Sequence, residues 1–238
     1  MHRFFTTEIQ PNTAVVRGDY VKHIAKVLRL RAGDRVQLCD GNGSECEAAI
    51  RNLSPDAVTF DTEPWRPAES EPCAKITLFQ CLPKAGKMET IIQKCVELGA
   101  CAFVPVQSER CVVVLKPPYE GRIERWQRVA EEAAKQSRRG VIPQVALPAL
   151  LDKLDFASYD TVLVAYENER TVSLKAALKT HRGTRIAIVI GPEGGFSDEE
   201  IRTLTEKGAT AVSLGPRILR TETAGMAMTA QILFEVEP

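Results

Sequence analysis

The 238-residue chain has no apolar run long enough to cross a bilayer, for which a helix needs about 20 consecutive apolar residues. Its opening residues, Met1-His2-Arg3-Phe4-Phe5, carry no secretory h-region. Both absences point to a cytoplasmic protein without a membrane partner. Histidine is scarce: only His2, His23 and His181, far apart in sequence. The seven cysteines (39, 46, 73, 81, 95, 101 and 111) are odd in number, and none is paired at Cys-x-x-Cys spacing. The expectation is therefore no metal and reduced, mostly buried thiols. Gly-x-Gly-x-x-Gly is missing, and Gly86-Lys87 lacks the earlier glycine of a P-loop. A dehydrogenase consequently has little support.

Net charge is also missing, with 31 basic and 31 acidic residues, but the charge is unevenly spread. Residues 1–72 carry 9 basic and 11 acidic side chains, 73–143 carry 12 and 7, and 144–238 carry 10 and 13. A basic middle between acidic flanks fits a localised phosphate-binding face, and equally well a set of solvated helix surfaces.

What is present falls into two rhythms. Up to residue 72 the chain reads as a small β domain. Asp19 is placed to cap a short helix with Tyr20, Ile24, Val27 and Leu28 at helical spacing. Arg35–Cys39, Ser44–Leu53 and Ala57–Glu63 read as strands, the first two joined by the hairpin signal Asp40-Gly41-Asn42-Gly43. Short strands with tight turns suggest a barrel. Glu63–Pro72, with its prolines, reads as a linker. From residue 73 to 238 strands alternate with helices. The strands are Ile76–Leu82, Ala102–Val106, Thr161–Ala165, Arg185–Ile190 and Ala209–Leu214. The helices are Lys87–Leu98, Arg122–Ser137, one opened by the capping box Ser197–Glu200, and Glu222–Phe234. Such alternation predicts an α/β domain with a mainly parallel sheet.

Ligands in such sheets bind at the carboxyl ends of strands, and three unusual segments sit there. Ala165-Tyr166-Glu167-Asn168 follows one strand. Gly191-Pro192-Glu193-Gly194-Gly195-Phe196-Ser197 follows the next, a side-chain-poor bend whose backbone groups a ligand can approach closely. Leu214-Gly215-Pro216-Arg217-Ile218-Leu219-Arg220-Thr221-Glu222-Thr223-Ala224 runs into the last helix, where an anion or polar ligand is favoured. Taken singly, each is compatible with ordinary turn chemistry.

The second and third segments together closely resemble the RsmE family, SPOUT-class methyltransferases acting on N3 of a uridine in 16S rRNA. Lys84-Ala85-Gly86-Lys87-Met88-Glu89, Lys94-Cys95-Val96-Glu97-Leu98-Gly99, Ser108-Glu109-Arg110, Glu131–Arg139 and His23…Val27-Leu28-Arg29 are similar to further family landmarks. The resemblance covers nearly the whole chain and is weakest at 116–121 and 147–160. It implies a PUA-like RNA-holding barrel over 1–72 and a SPOUT α/β trefoil-knot domain over 73–238, the last helix threaded through a loop. It further implies S-adenosylmethionine as cofactor, 16S rRNA or the 30S subunit as partner, and a homodimer.

The cofactor residues so implied are Tyr166, Glu167, Gly191, Pro192, Gly194, Gly195, Leu214, Gly215, Ile218, Leu219, Thr223 and Ala224. Arg220, Glu222 and Glu193 are the catalytic candidates, although Glu222 serves equally as a first-turn carboxylate complementing the helix dipole. Arg29, Lys84, Lys87, Arg110, Arg138 and Arg139 are the candidate RNA contacts. Two alternatives stay open: a ribose 2′-O methyltransferase of the same fold class, and a non-catalytic RNA-binding assembly protein.

Overall fold

The computed structural model describes residues 1–84, 86–180 and 182–237. Ala85 of the Lys84–Glu89 motif and His181 lie outside the described residues. The chain divides into two compact units, one of Met1–Glu71 with Ala134–Ile142, the other of Pro72–Ala133 with Pro143–Pro238.

The first unit holds β1 (Arg3–Phe5), β2 (Glu8–Gln10), β3 (Thr13–Arg17), β4 (Arg35–Cys39), β5 (Ser44–Leu53), β6 (Ala57–Thr62) and β7 (Arg66–Pro67). They hydrogen-bond in the order β1-β4-β5-β6-β3-β2, with β7 on β5. Alternation along β3, β4 and β6 sends Val16, Val36, Leu38, Val58 and Phe60 into one core with Phe4, Ile24 and Ile50. Asp40 Oδ1 accepts from the N–H groups of Asn42 (2.7 Å) and Ser44 (2.9 Å), which closes the expected β4–β5 hairpin.

Three details differ from the reading by pattern. Helix α1 (Asp19–Lys22) is capped by Gly18 at φ 67, so Asp19 is its first residue and acts on the helix dipole instead of capping. The helix then widens into a π turn over His23–Val27. The presumed linker is also partly sheet. Arg66 and Pro67 pair with β5, an edge position where a proline is tolerated, and Trp65 packs against the core. Ala134–Ile142, which rhythm assigns to the second domain, belongs to this unit. Glu71 ties it there by accepting from the Gly140 and Val141 N–H groups (2.8 and 3.1 Å), while Arg139 donates to the other carboxylate oxygen at 2.7 Å.

The second unit runs β8 (Lys75–Cys81), α2 (Lys87–Glu97), β9 (Ala102–Gln107), α3 (Glu120–Gln136), β10 (Gln144–Val145), β11 (Ala149–Leu150), β12 (Thr161–Ala165), α4 (Leu174–Lys179), β13 (Arg185–Ile190), α5 (Asp198–Glu206), β14 (Thr210–Val212) and α6 (Thr221–Val236). The last residues of α3 fall in the first unit. All strand pairs are parallel, in the order β10-β9-β8-β13-β12-β14, with β11 on β9. Central strands buried on both faces need continuous apolar runs, and Ile186 to Ile190 supply one. Helix α2 buries Met88, Ile91, Ile92, Cys95 and Val96, the face its spacing predicts.

Cys39, Cys46, Cys81, Cys95 and Cys111 are buried and all seven cysteines are free thiols. Burial pushes the Cys39 thiol up to about 12 and Cys46 to about 11, away from nucleophilic use. Among the described residues, no helix is long and apolar enough to cross a membrane, and no group of three or more His, Cys, Asp or Glu residues could hold a metal ion.

Candidate functional site

The strand order explains why three segments distant in sequence become neighbours. β12 lies between β13 and β14, with Val164 opposite Val189 and Ala165 opposite Val212. Parallel strands in register deliver their carboxyl ends to the same edge, so the chain leaves β12, β13 and β14 side by side. Between the exits lies a cavity of about 410 Å³.

Of the expected cofactor residues, Tyr166, Glu167, Gly191, Pro192, Gly195, Leu214, Gly215, Ile218, Leu219 and Ala224 line this cavity. Gly194 and Thr223 do not. Gly194 instead offers its carbonyl to Arg110 Nη1 at 3.1 Å, and the same guanidinium nitrogen donates to Phe196 O at 3.2 Å. Arg110 therefore braces the glycine bend from outside. Gly195 has φ 65, and a Cβ there would fall 2.0 Å from Glu167 Oε1, so only glycine lets these two loops approach. The expected capping box is formed: Ser197 Oγ accepts from Glu200 N–H at 3.3 Å, and Glu200 Oε2 accepts from Ser197 N–H at 3.0 Å. The other Glu200 oxygen accepts from Glu109 N–H at 2.8 Å, which joins the bend to the segment after β9. Tyr166 donates its hydroxyl to Asp198 Oδ1 at 2.6 Å, and this bond holds the phenol protonated by raising its pKa.

The charged groups form a cluster that the sequence reading split between two roles. Lys87, a candidate RNA contact, lines the cavity and lies 3.0 Å from Glu193 Oε1 and 3.1 Å from Glu222 Oε2. Glu193 lines the cavity too, and both its oxygens face the Lys84 N–H (3.1 and 3.3 Å). Glu222 does not line it and reaches it only through Lys87. Its Oε2 is buried, and the contact with Lys87 is an ion pair without hydrogen-bond geometry. Burial alone would raise both carboxyls, but for Glu193 the Lys87 and Lys84 donors outweigh it, and for Glu222 its own backbone N–H and Lys87 do. Both stay below the usual carboxylate range, and the two neighbouring carboxylates, Glu193 first, raise Lys87. The cluster is thus one ammonium between two carboxylates. Arg220 lines the cavity and is exposed, at the N-cap of α6.

Pattern reading missed Arg170, Ser213 and the cavity role of Lys87, and assigned no role to Pro216, Arg217 and Thr221 inside the 214–224 segment. Lys87 carried a usable signal, standing at the start of a helix that follows β8, the strand beside β13. Arg170 carried none. Among the other RNA candidates, Arg139 is buried against Glu71, whereas Arg29, Lys84, Arg110 and Arg138 are exposed.

Residues 69–233 match the model of an RNA methyltransferase domain, and residues 16–63 match an RNA methyltransferase PUA domain. The chain is 36% identical to ribosomal RNA small subunit methyltransferase E of Bacillus subtilis (strain 168), over 94% of this chain and 91% of that protein. It is 37% identical to the protein of the same name from Synechocystis sp., over 88% of this chain and 69% of that one. The crystal structure of a ribosomal RNA small subunit methyltransferase E from Neisseria gonorrhoeae, bound to S-adenosyl methionine, superposes with a TM-score of 0.85 at 32% identity, covering 98% of this chain and 97% of that one. A PUA-type unit over β3–β6 and an α/β methyltransferase unit with a parallel sheet, carrying the three-loop cavity at its strand ends, thus make this chain a member of the ribosomal RNA small subunit methyltransferase E family.

Proposed function

We propose that the chain transfers a methyl group from S-adenosylmethionine to N3 of a uridine in 16S rRNA of the small ribosomal subunit. The observation that carries this reading is the convergence of the three loops on one cavity at the carboxyl ends of β12, β13 and β14. A volume of about 410 Å³ suits a nucleoside-sized ligand. Its walls fit such a ligand as well: Leu214, Ile218 and Leu219 offer apolar surface for a base, while Gly191, Gly195 and Gly215 leave backbone amides and carbonyls accessible to its polar edges. When bound, S-adenosylmethionine supplies an activated methyl on a sulfonium.

The chain's own residues bind, orient and move a proton. Uridine N3 is protonated at neutral pH, so a group must take that proton as the new N–C bond forms. Glu193 is the acceptor favoured by position, because it lines the cavity and is held ionised. Glu222 acts behind it by anchoring Lys87. Arg220 neutralises negative charge developing on the uracil carbonyl oxygens. Replacing Arg220 by Ala is expected to lower turnover ~10²–10³-fold while calorimetric affinity for S-adenosylmethionine is kept. Unchanged turnover would remove it from the catalytic set.

Of the candidate RNA contacts, Arg29 and Arg138 are exposed with no side-chain hydrogen bond or ion pair among the described residues, and Lys84 stands beside Glu193. In the first unit Lys22, His23, Lys26 and Arg31 stand exposed beside Arg29 without an acidic residue between Asp19 and Asp34. We read this stretch as the phosphate-contacting face. Homodimer formation, with each site near the interface, the threading of α6 through a loop, and action on 30S subunits in the cytoplasm belong to the same reading by family resemblance. The decisive test is methyl transfer from labelled donor to 30S subunits, followed by mapping of the modified nucleotide. Label on N3 supports the reading. Label on a ribose 2′-oxygen replaces it with the sister chemistry, and donor binding without any transfer reduces the chain to an assembly factor.

A further inference from the structure

β8 is a central strand buried on both faces, and apolar side chains are what such a strand favours. Its sixth residue breaks the rule: Gln80 is a primary amide with 0% exposure. Its Nε2 donates to Cys81 O at 3.0 Å and to Thr221 Oγ1 at 2.9 Å. Thr221, the first residue of α6 and 6% exposed, donates its hydroxyl to Gly191 O at 2.6 Å. A hydroxyl has one proton, so a Thr221 that donates to Gly191 can only accept from Gln80. The Cys81 carbonyl likewise demands a donor. The amide orientation is therefore dictated by both partners, and the direction runs from amide to hydroxyl to carbonyl.

Gln80 Oε1 is left buried with no partner among the described residues, a penalty that an apolar residue at this position would not carry. One turn further along α6, a Cβ on Gly225 would meet Leu78 at 3.4 Å and Gln80 Oε1 at 3.5 Å, so helix and strand end lie in close contact. This buried relay joins two walls of the cavity. Gly191 opens the bend after β13, and Thr221 closes the 214–220 loop where it becomes helix.

We infer that Gln80 and Thr221 are positioning residues: their relay holds the 214–220 loop at a set distance from the Gly191 bend and thereby determines how tightly the methyl donor is bound. The inference rests on the reading of this cavity as the donor site.

Calorimetric titration of the full chain with S-adenosylmethionine and, separately, with S-adenosylhomocysteine tests it without requiring turnover. Thr221→Val, which keeps shape and removes the hydroxyl, is expected to weaken both ligands about tenfold, the loss of one buried hydrogen-bond link. Thr221→Ser restores affinity to within about twofold, since the hydroxyl returns. Gln80→Met weakens binding in the same sense, and the double variant Gln80→Met, Thr221→Val is no weaker than the worse single one, because both break a single chain of bonds. Thermal unfolding on the same samples identifies those that are folded, and Thr221→Ala replaces Thr221→Val if the latter is not. Undiminished affinity in folded Thr221→Val, absence of rescue by serine, or losses that multiply in the double variant each overturn the relay. An unsubstituted chain that takes up neither ligand overturns the donor-site reading, and the relay with it.

Discussion

Two ion clusters of the molecule, one in each unit, are built to opposite specifications. In the first unit Glu71 and Arg139 form an ion pair whose carboxylate is saturated. One oxygen takes two backbone N–H groups at 2.8 and 3.1 Å, the other takes Arg139 at 2.7 Å, and the guanidinium side chain is 4% exposed. In the second unit Lys87 serves two carboxylates, each side chain keeps 22–29% exposure, and Glu222 Oε2 has only an ion pair. The first cluster pairs one carboxylate with one guanidinium, its carboxylate oxygens are both taken, and it fastens Ala134–Ile142 to its unit. The second carries one surplus negative charge beside a cavity. Two carboxylates on one ammonium leave a carboxylate able to accept a proton.

The comparison breaks most easily at the closed cluster. Arg139→Ala leaves the half-buried Glu71 carboxylate without its countercharge, which costs about 3 kcal/mol of stability. Urea unfolding of the full chain measures this, and the folded fraction is expected to bind S-adenosylmethionine with undiminished affinity. A loss below about 1 kcal/mol would place Arg139 with ordinary surface arginines. The open cluster should respond the other way. Lys87→Met is expected to change stability by less than about 1 kcal/mol, since the pair is partly solvated, and to lower turnover ~10²-fold by misaligning Glu193. It also moves the pH profile in a defined direction. Lys87 helps to hold both carboxyls below their usual range, so its removal raises them, and the acid limb of turnover, which requires ionised carboxylate, shifts to higher pH. A limb that stays in place would release both carboxylates from proton transfer.

The contrast also marks what a sequence can reveal. The α/β alternation, the helical face of α2, the Asp40–Gly43 hairpin and the Ser197–Glu200 capping box were legible because each is a local pattern with one physical cause. The three cavity segments were legible as strand-end loops. Their convergence follows from the order β13-β12-β14, which no local pattern encodes. Long-range pairing was opaque for the same reason. Arg138 and Arg139 are adjacent and chemically identical, yet the first is exposed with a left-handed backbone (φ 62) and the second is buried on Glu71, 68 residues away. Charge counting credits both to an RNA face. The cavity place of Lys87 was opaque to the same arithmetic, since its partners lie 106 residues further along at Glu193 and beyond that at Glu222.

The exposed member of that pair, taken with Arg29, gives the next test. Arg29→Ala with Arg138→Ala should leave stability unchanged and reduce the slope of log affinity for rRNA against log salt by about one for each phosphate no longer neutralised. An unchanged slope assigns both to solvated surface and moves the phosphate face elsewhere on the chain.

The smallest effect is expected at a third kind of ion pair, neither closed nor facing a ligand. Asp160 accepts from Arg185 Nη2 at 2.9 Å, and that hydrogen bond, with further backbone donors, lowers its carboxyl from 3.8 to about 2. A carboxyl depressed on folding stabilises the native state above its unfolded pKa and ceases to do so as the pH falls through its folded one. The difference in Tm between the unsubstituted chain and Asp160→Asn should therefore be present at neutral pH, shrink as the pH drops below 3.8, and vanish below about 2. It should be small throughout, because the pair is solvated and screened by salt. A difference as large as that of Arg139→Ala would mean that saturation of the carboxylate, and not burial of the pair, separates structural ion clusters from the rest of the surface.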